Sequence, residues 1–236
     1  MKEVFKSLAI IALTFVVLSP SISEAAKREK LAKVLSPKML SVDLAYFEKI
    51  AGVAKNTYEN IKVYDIDDCE VTATIENGSV AALRVDLTPK CTFDLNKFLD
   101  ISPEKFPAPY KMTFGEFDTL TNSMSEFMAD CLGGCGNAAD PVVYEYKSGT
   151  HAEGWIDILL EATTTSKDAA LAFRTWTDAL EKGEGIDWIM NQGVRTGNDK
   201  LICNPQKYNS IAHNAFRNVR ISAITFGHNI SKAQCQ

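Results

Sequence analysis

Apolar residues at helical spacing predict four amphipathic helices along the chain. Their starts share a capping residue or a proline and fall near Ser36, Thr113, Ser166 and Asn204. The first helix is expected to run from Ser36 to about Ala54, with Pro37 at its first helical position. Each of the four is expected to pack one apolar face on a core.

The second predicted helix has the most complete start signal. Thr113 and Glu116 have the spacing of a capping box, and Met112 and Phe117 have that of a hydrophobic staple. An apolar stripe then continues the helix through Phe117, Leu120, Met124, Phe127 and Cys131. Gly133 and Gly134 follow this stripe and are expected to end the helix.

Alternating apolar and polar residues predict two hairpins and a closing strand over residues 219–226. In the first hairpin, residues 71–75 and 81–87 flank the turn residues Asn77 and Gly78. A two-residue turn would set Val71 against Arg84 and mix the two faces. A three-residue loop keeps one face apolar and is preferred; it pairs Ile75 with Ala81, Ala73 with Leu83, and Val71 with Val85. The second hairpin joins residues 142–146 to residues 156–160.

Helices and antiparallel hairpins thus alternate without the spacing of βαβ units, which predicts an α+β fold. Its hairpins are expected to pack against amphipathic helices and to be stapled by disulfides. Residues 26–100 would hold the first helix and hairpin, and residues 111–236 a C-terminal α+β region. Three prolines make residues 101–110 the expected linker. One continuous domain over residues 36–236 is the alternative.

The first 25 residues have the layout of a secretory signal peptide. Lys2 and Lys6 precede an uncharged apolar run from Leu8 to Leu18, and Ser23 and Ala25 supply the small residues expected before a cut. The run is shorter than the roughly 20 residues that span a bilayer. The sequence therefore predicts cleavage near Ala25, a periplasmic or secreted mature chain, and no membrane insertion of that chain.

The cysteines are six, an even number, and all follow the predicted cut: Cys69, Cys91, Cys131, Cys135, Cys203 and Cys235. In an oxidising compartment they are expected to form three disulfides. Pairing of sequence neighbours is favoured, namely Cys69 with Cys91, Cys131 with Cys135, and Cys203 with Cys235, although six cysteines allow other connectivities. A metal site at Cys131 and Cys135 is disfavoured because it would need both thiols kept reduced. A redox pair is disfavoured because three residues separate them instead of two.

The net charge and the absence of known short motifs exclude several classes of partner and site. The net charge of −5 disfavours nucleic acid and anionic membranes as partners, leaving a protein or an envelope component. The acidic run from Asp65 to Glu70 lacks the glycine of an EF-hand loop and is interpreted as a solvated approach to the first hairpin. The histidines show no metal-ligand spacing, so no catalytic, cofactor or metal site is predicted. His213 lies off the apolar stripe of its helix and is expected at the surface.

One surface site is nevertheless a candidate, formed by His151, Trp155 and Asp157 in and beside the second hairpin turn. The leading hypothesis is an exported, non-catalytic module that binds another macromolecule, such as an inhibitor, an immunity-type protein or an envelope accessory protein. The alternative is an extracytoplasmic hydrolase that uses His151 or His213 with a nearby carboxylate. The two differ in one observable feature, a histidine and an acid within hydrogen-bond reach in a concave pocket.

Overall fold

The structure is a computed structural model that describes residues 29–99, 107–121, 125–133, 135, 140–149, 155–192, 201–228 and 230. The predicted signal peptide lies outside these residues, and so do His151, Cys235 and residues 101–106 of the predicted linker. Within the described residues, none of the helices has both the length and the apolar character needed to span a bilayer.

The described chain contains helices and one extended sheet, so the predicted α+β class is confirmed. The helices are α1 (residues 29–34), α2 (Leu44–Ala51), α3 (Asn96–Leu99), α4 (Phe114–Thr121), α5 (Lys167–Glu184), α6 (Ile186–Gln192) and α7 (Asn209–Phe216). The strands are β1 (Asn56–Tyr58), β2 (Ile61–Ile66), β3 (Cys69–Glu76), β4 (Ser79–Asp86), β5 (Glu126–Ala129), β6 (Val142–Lys147), β7 (Asp157–Thr163), β8 (Ile202–Cys203) and β9 (Ala223–Gly227).

All nine strands of the described residues belong to one sheet in the order β1-β2-β3-β4-β9-β7-β6-β5-β8. Every neighbouring pair is antiparallel. The last strand, β9, pairs with β4 on one side and with β7 on the other, and it thereby joins the strands that precede residues 101–110 to those that follow them. One sheet therefore runs through both parts of the chain.

The main hydrophobic core lies on one face of this sheet and receives apolar side chains from the helices. Strand residues that face it include Val71, Leu83, Val143, Leu160 and Phe226. A smaller cluster of buried residues lies on the opposite face, around Met128, Leu159, Leu201 and Ile230. Side chains alternate between the faces along a strand, so this division fixes which residues of each strand meet the helices.

The first predicted hairpin forms, and its register contains a bulge. The turn has two residues, Asn77 and Gly78, because Glu76 is paired with Ser79. Ile75 is paired with Val80, so its predicted pairing with Ala81 is wrong. The register shifts between Thr74 and Ile75, which leaves an extra residue on β4. As a result Ala73 meets Leu83 and Val71 meets Val85, as predicted, and one face stays apolar.

The acidic run is the turn of a hairpin that the sequence analysis missed. Strands β2 and β3 pair from Ile61↔Thr74 to Ile66↔Cys69, and Asp67 and Asp68 connect them. Both turn residues have positive φ, 57° and 64°, a conformation that aspartate tolerates better than most residues. The Asp67 carboxylate also accepts a hydrogen bond from the backbone N–H of Leu31, at 2.8 Å. The run thus positions a turn against α1.

Two predicted helices are interrupted. The one expected from Ser36 to Ala54 is a 3-10 turn at Pro37–Met39 followed by α2. Ser41, at φ 64°, breaks it, and its N–H donates to the carbonyl of Val80. The helix expected from Thr113 to Gly133 ends at Thr121, and its apolar residues after position 125 form β5 instead. Pairing with β6 and β8 decides this, since a short apolar run fits either structure.

The starts of α4 and α5 form as predicted. Thr113 and Glu116 make the reciprocal hydrogen bonds of a capping box, and the Ser166 hydroxyl accepts from the N–H of Ala169. The cysteine pairs Cys69–Cys91 and Cys131–Cys135 are confirmed, with Cα–Cα distances of 5.4 and 5.7 Å. Cys203 is also disulfide-bonded, and its predicted partner Cys235 lies outside the described residues.

Candidate functional site

The structure separates the described members of the predicted surface site. Trp155 is 75% exposed, and its ring lies close to Gly149, where a Cβ would come within 2.8 Å of it. Asp157 is only 5% exposed and accepts a hydrogen bond from the backbone N–H of Ile230, at 3.4 Å. His151 lies outside the described residues. Trp155 is therefore a surface residue, whereas Asp157 belongs to the interior.

A different group of polar side chains lies on the core-facing side of β6. Burial alternates along this strand, so that Val143, Glu145 and Lys147 point towards the helices while Tyr144 and Tyr146 border the smaller cluster. Glu145 has no exposed surface, and the Lys147 side chain is 2% exposed. Two ionisable side chains are thus placed inside a hydrophobic core, where each needs compensating partners.

Helices α4 and α7 bring two further polar residues to this place. The core contacts of Phe114 and Phe117 set the rotation of α4, and Asp118 lies beside them. In α7, Ala212 and Phe216 are buried, and His213 is adjacent to that stripe. Nδ1 of His213 lies 2.9 Å from Oδ2 of Asp118. Asp118, Glu145, Lys147 and His213 are called the core polar cluster below.

The His213 ring is held on three sides. Nε2 lies 3.1 Å from the backbone carbonyl of Ser125, and the ring packs edge-on against Phe127 with centroids 4.9 Å apart. Because a carbonyl oxygen can only accept, Nε2 carries the hydrogen in that contact. Nδ1 is therefore the ring atom that faces Asp118, and it lies 4.0 Å from Oε1 of Glu145. The expected surface position of His213 is therefore wrong, since its side chain is only 11% exposed.

Glu145 has the least satisfied position in the core polar cluster. Among the described residues, neither of its carboxyl oxygens has a partner in hydrogen-bond geometry, although Asp118 and the Ser125 hydroxyl are close enough to affect it. Burial, and then the neighbouring Asp118, raise the pKa of Glu145 well above its usual value. A buried polar group without partners is unfavourable and requires an explanation, such as a bound ion.

Lys147 approaches Asp118 from the side away from His213. Its Nζ lies 3.2 Å from Oδ1 of Asp118, contacts the Thr121 hydroxyl and sits 4.9 Å from the centre of the Phe117 ring. Burial lowers the pKa of Lys147, although the neighbouring carboxylates oppose this. Burial also opposes ionisation of Asp118, but His213, Glu145 and Lys147 outweigh it and lower the pKa of Asp118. The two carboxyl groups are therefore unlike, and Asp118 ionises first.

Three of these side chains have the geometry of a metal-ligand set. One donor atom each from Asp118, Glu145 and His213 lies within 4.8 Å of the others. A tetrahedral ion with bonds of about 2.0–2.1 Å needs donor atoms about 3.3 Å apart, between the 2.9 and 4.0 Å seen around Nδ1. The Nε2–H contact with a carbonyl resembles the support that metal-binding histidines usually have.

A cleft of about 420 Å³ lies close by, along another side of α4. It is lined by Pro107, Thr113, Gly115, Glu116, Thr119, Leu120, Arg217 and Asn218. Neither Asp118 nor His213 is among these residues, so the histidine and acid of the core polar cluster do not open into this cleft. His213 and Asp118 are within hydrogen-bond distance, as an acid–base pair requires. This cleft, however, does not supply the pocket that a hydrolase would need beside them.

The core polar cluster was not predicted from the sequence because its members are far apart in the chain. Asp118 and His213 are separated by 95 residues, and the short motifs that mark metal sites are absent. The one clue in the sequence was the alternation in β6, which places Glu145 and Lys147 on the same face of the strand as the apolar Val143. No family model, curated protein or solved structure matches this chain.

Proposed function

We propose that this chain is an extracytoplasmic protein that binds a divalent metal ion through Asp118, Glu145 and His213. The observation that carries the proposal is Glu145, which is fully buried, aimed at the other two ligands and without a hydrogen-bond partner among the described residues. An ion would satisfy its oxygens and balance its charge. The signal-peptide pattern and the paired cysteines support a location outside the cytosol.

The donor set favours a first-row transition ion over calcium or magnesium. It contains one imidazole nitrogen and carboxylate oxygens, and imidazole suits zinc and its neighbours. Calcium takes about six to eight oxygen ligands, more than the two carboxylates supply. Two of the three ligands are also supported through another atom: Nε2 of His213 by the Ser125 carbonyl, and Oδ1 of Asp118 by Lys147. Such support orients the atoms that face the ion.

Titration of the metal-depleted mature protein with Zn²⁺ and Mn²⁺ by calorimetry tests the proposal. We expect one ion per chain, and we expect Asp118→Asn, Glu145→Gln and His213→Gln each to weaken binding by about 100-fold or more. That exceeds the roughly 10–100-fold loss typical when a supporting residue is removed. His228→Gln is the matched control, because His228 follows β9 and is not part of the ligand set. A folded wild-type protein that binds neither ion refutes the proposal.

Binding of another macromolecule is a second candidate, supported by the exposure of Trp155. Tryptophan is enriched at interfaces, because its ring is largely apolar and its N–H can bind a polar partner. The partner would be a protein or an envelope component, as the acidic net charge disfavours nucleic acid. We expect the purified mature protein to retain one stoichiometric partner from an extracytoplasmic fraction, and Trp155→Ser to retain at least about tenfold less. Equal retention by both proteins would argue against this surface.

A further inference from the structure

We infer that Lys147 is a tethered counter-cation that stabilises the metal-free protein and competes with the metal ion. The site would then bind its ion reversibly, as a cargo or signal, and not as a permanent structural ion. This inference rests on the proposed function, because it concerns the same ligands.

The geometry places the lysine and the ligand face on different oxygens of one carboxylate. The Lys147 ammonium lies 3.2 Å from Oδ1 of Asp118, while Nδ1 of His213 lies 2.9 Å from Oδ2. Lys147 is further held by the Thr121 hydroxyl and the Phe117 ring. Its side chain is thus next to the site without occupying the atoms that would bind the ion. An ion and the ammonium could share the same carboxylate, but only at close range.

The Lys147 ammonium and a bound metal ion would repel each other. In the metal-free protein the single positive charge of Lys147 balances the charge of the Asp118 carboxylate. A buried carboxylate requires such a counter-charge. Suppose that a divalent ion bound on the far side of that carboxylate while the ammonium stayed in place. The ion and the ammonium together would then carry more positive charge than the carboxylates of Asp118 and Glu145 can balance. Two cations a few ångströms apart repel strongly in a core that excludes water. Metal binding must therefore overcome the ammonium or move it.

The flexible stem of a lysine makes such movement feasible. Four rotatable carbons carry the ammonium, so it can change partners without a change in the backbone of β6. Thr121, which it contacts, is the last residue of α4 and is only partly buried. A resident cation of this kind keeps the metal-free protein folded. A permanently bound structural ion would make that role unnecessary.

The experiment compares Lys147→Met with the wild-type protein in zinc titrations and in thermal unfolding, each with and without zinc. We expect the variant to have a lower Tm without zinc, because Asp118 loses its counter-cation. We expect it to bind zinc at least about tenfold more tightly and to gain more in Tm on adding zinc than the wild type. Lys147→Arg, which keeps the charge, is the matched control and should bind no more tightly than the wild type.

The outcomes separate the inference from the proposed function. If neither the wild type nor Lys147→Met binds zinc, the proposed function fails and the inference fails with it. If the wild type binds zinc and Lys147→Met binds it equally or more weakly, the inference fails alone. Should Lys147→Met not fold without zinc, refolding in its presence supports the inference, and Lys147→Gln repeats the comparison with an uncharged polar side chain. If neither variant folds with or without zinc, the inference is overturned.

Discussion

Replacing Trp176 by alanine is expected to lower the free energy of unfolding by about 3–5 kcal/mol, the range for losing a fully buried large aromatic side chain. Trp176 has no exposed surface, and its ring meets Phe127, Phe173 and Phe216 with centroid distances of 6.4, 6.1 and 5.9 Å. Its indole N–H also donates to the Asn204 side chain, at 3.0 Å. Urea denaturation followed by far-ultraviolet circular dichroism measures the loss without relying on tryptophan fluorescence.

Two further variants separate packing from the hydrogen bond. Trp176→Phe keeps an aromatic ring in the core and removes the N–H, so we expect a smaller loss, about 1–2 kcal/mol. Trp155→Ala removes an exposed ring and should change the stability by less than about 1 kcal/mol. A Trp176→Ala variant as stable as the wild type would show that α5 does not pack as described.

The same aromatic contacts connect the core to the proposed metal site. Trp176 packs on Phe127, and Phe127 packs edge-on against the His213 ring. Phe127 also stacks with Phe216, which lies one turn after Ala212 in α7. The position of His213 is therefore fixed by rigid packing from α5, β5 and α7 together. Preorganised ligands of this kind favour a specific site over a chance collection of polar groups.

The features that the sequence predicted correctly are set by local rules. The capping box at Thr113 and the Ser166 start depend on residues within one turn of helix. The pairs Cys69–Cys91 and Cys131–Cys135 are close in the chain, separated by 22 and 4 residues. The pairing of Val71 with Val85 follows from the need to keep one face of a hairpin apolar. In each case neighbours in the sequence contain enough information.

The features that the sequence did not predict depend on contacts between distant segments. Residues 126–129 fit a helical stripe and a strand equally well, and only pairing with β6 and β8 selects the strand. The position of β9 between β4 and β7 brings together residues more than a hundred positions apart. The core polar cluster requires α4, β6 and α7 to meet, so no window of sequence contains its members. A period-2 pattern also leaves open which face is inside, and in β6 the face with Glu145 is the buried one.

The ion pair between Arg84 and Glu161 should contribute strongly to stability because it crosses the middle of the sheet. Arg84 on β4 and Glu161 on β7 lie on either side of β9, and both guanidinium contacts, at 2.8 and 2.9 Å, go to the two carboxylate oxygens. Glu161 also accepts a weaker bond from the Thr225 hydroxyl on β9, at 3.4 Å. The Glu161 side chain is 8% exposed, whereas that of Arg84 is 35% exposed.

Glu161→Ala is therefore expected to lower the free energy of unfolding by about 2–4 kcal/mol. Breaking a fully buried pair costs about 3–5 kcal/mol, and the partial exposure of Arg84 reduces this figure because water can solvate the remaining charge. Asp86, 2.9 Å from the guanidinium, reduces it further by offering a second partner. Urea unfolding with Glu70→Ala as the control, an exposed glutamate on β3, measures the difference.

The double variant Arg84→Met/Glu161→Leu distinguishes an uncompensated charge from the loss of a favourable pair. Apolar residues of similar size often replace a buried ion pair at little cost, so we expect it to recover most of the stability that Glu161→Ala loses. Because β9 connects β4 with β7, either change should shift a single transition for the whole sheet. Two separate transitions would instead mean that the strands before and after residues 101–110 unfold as independent units.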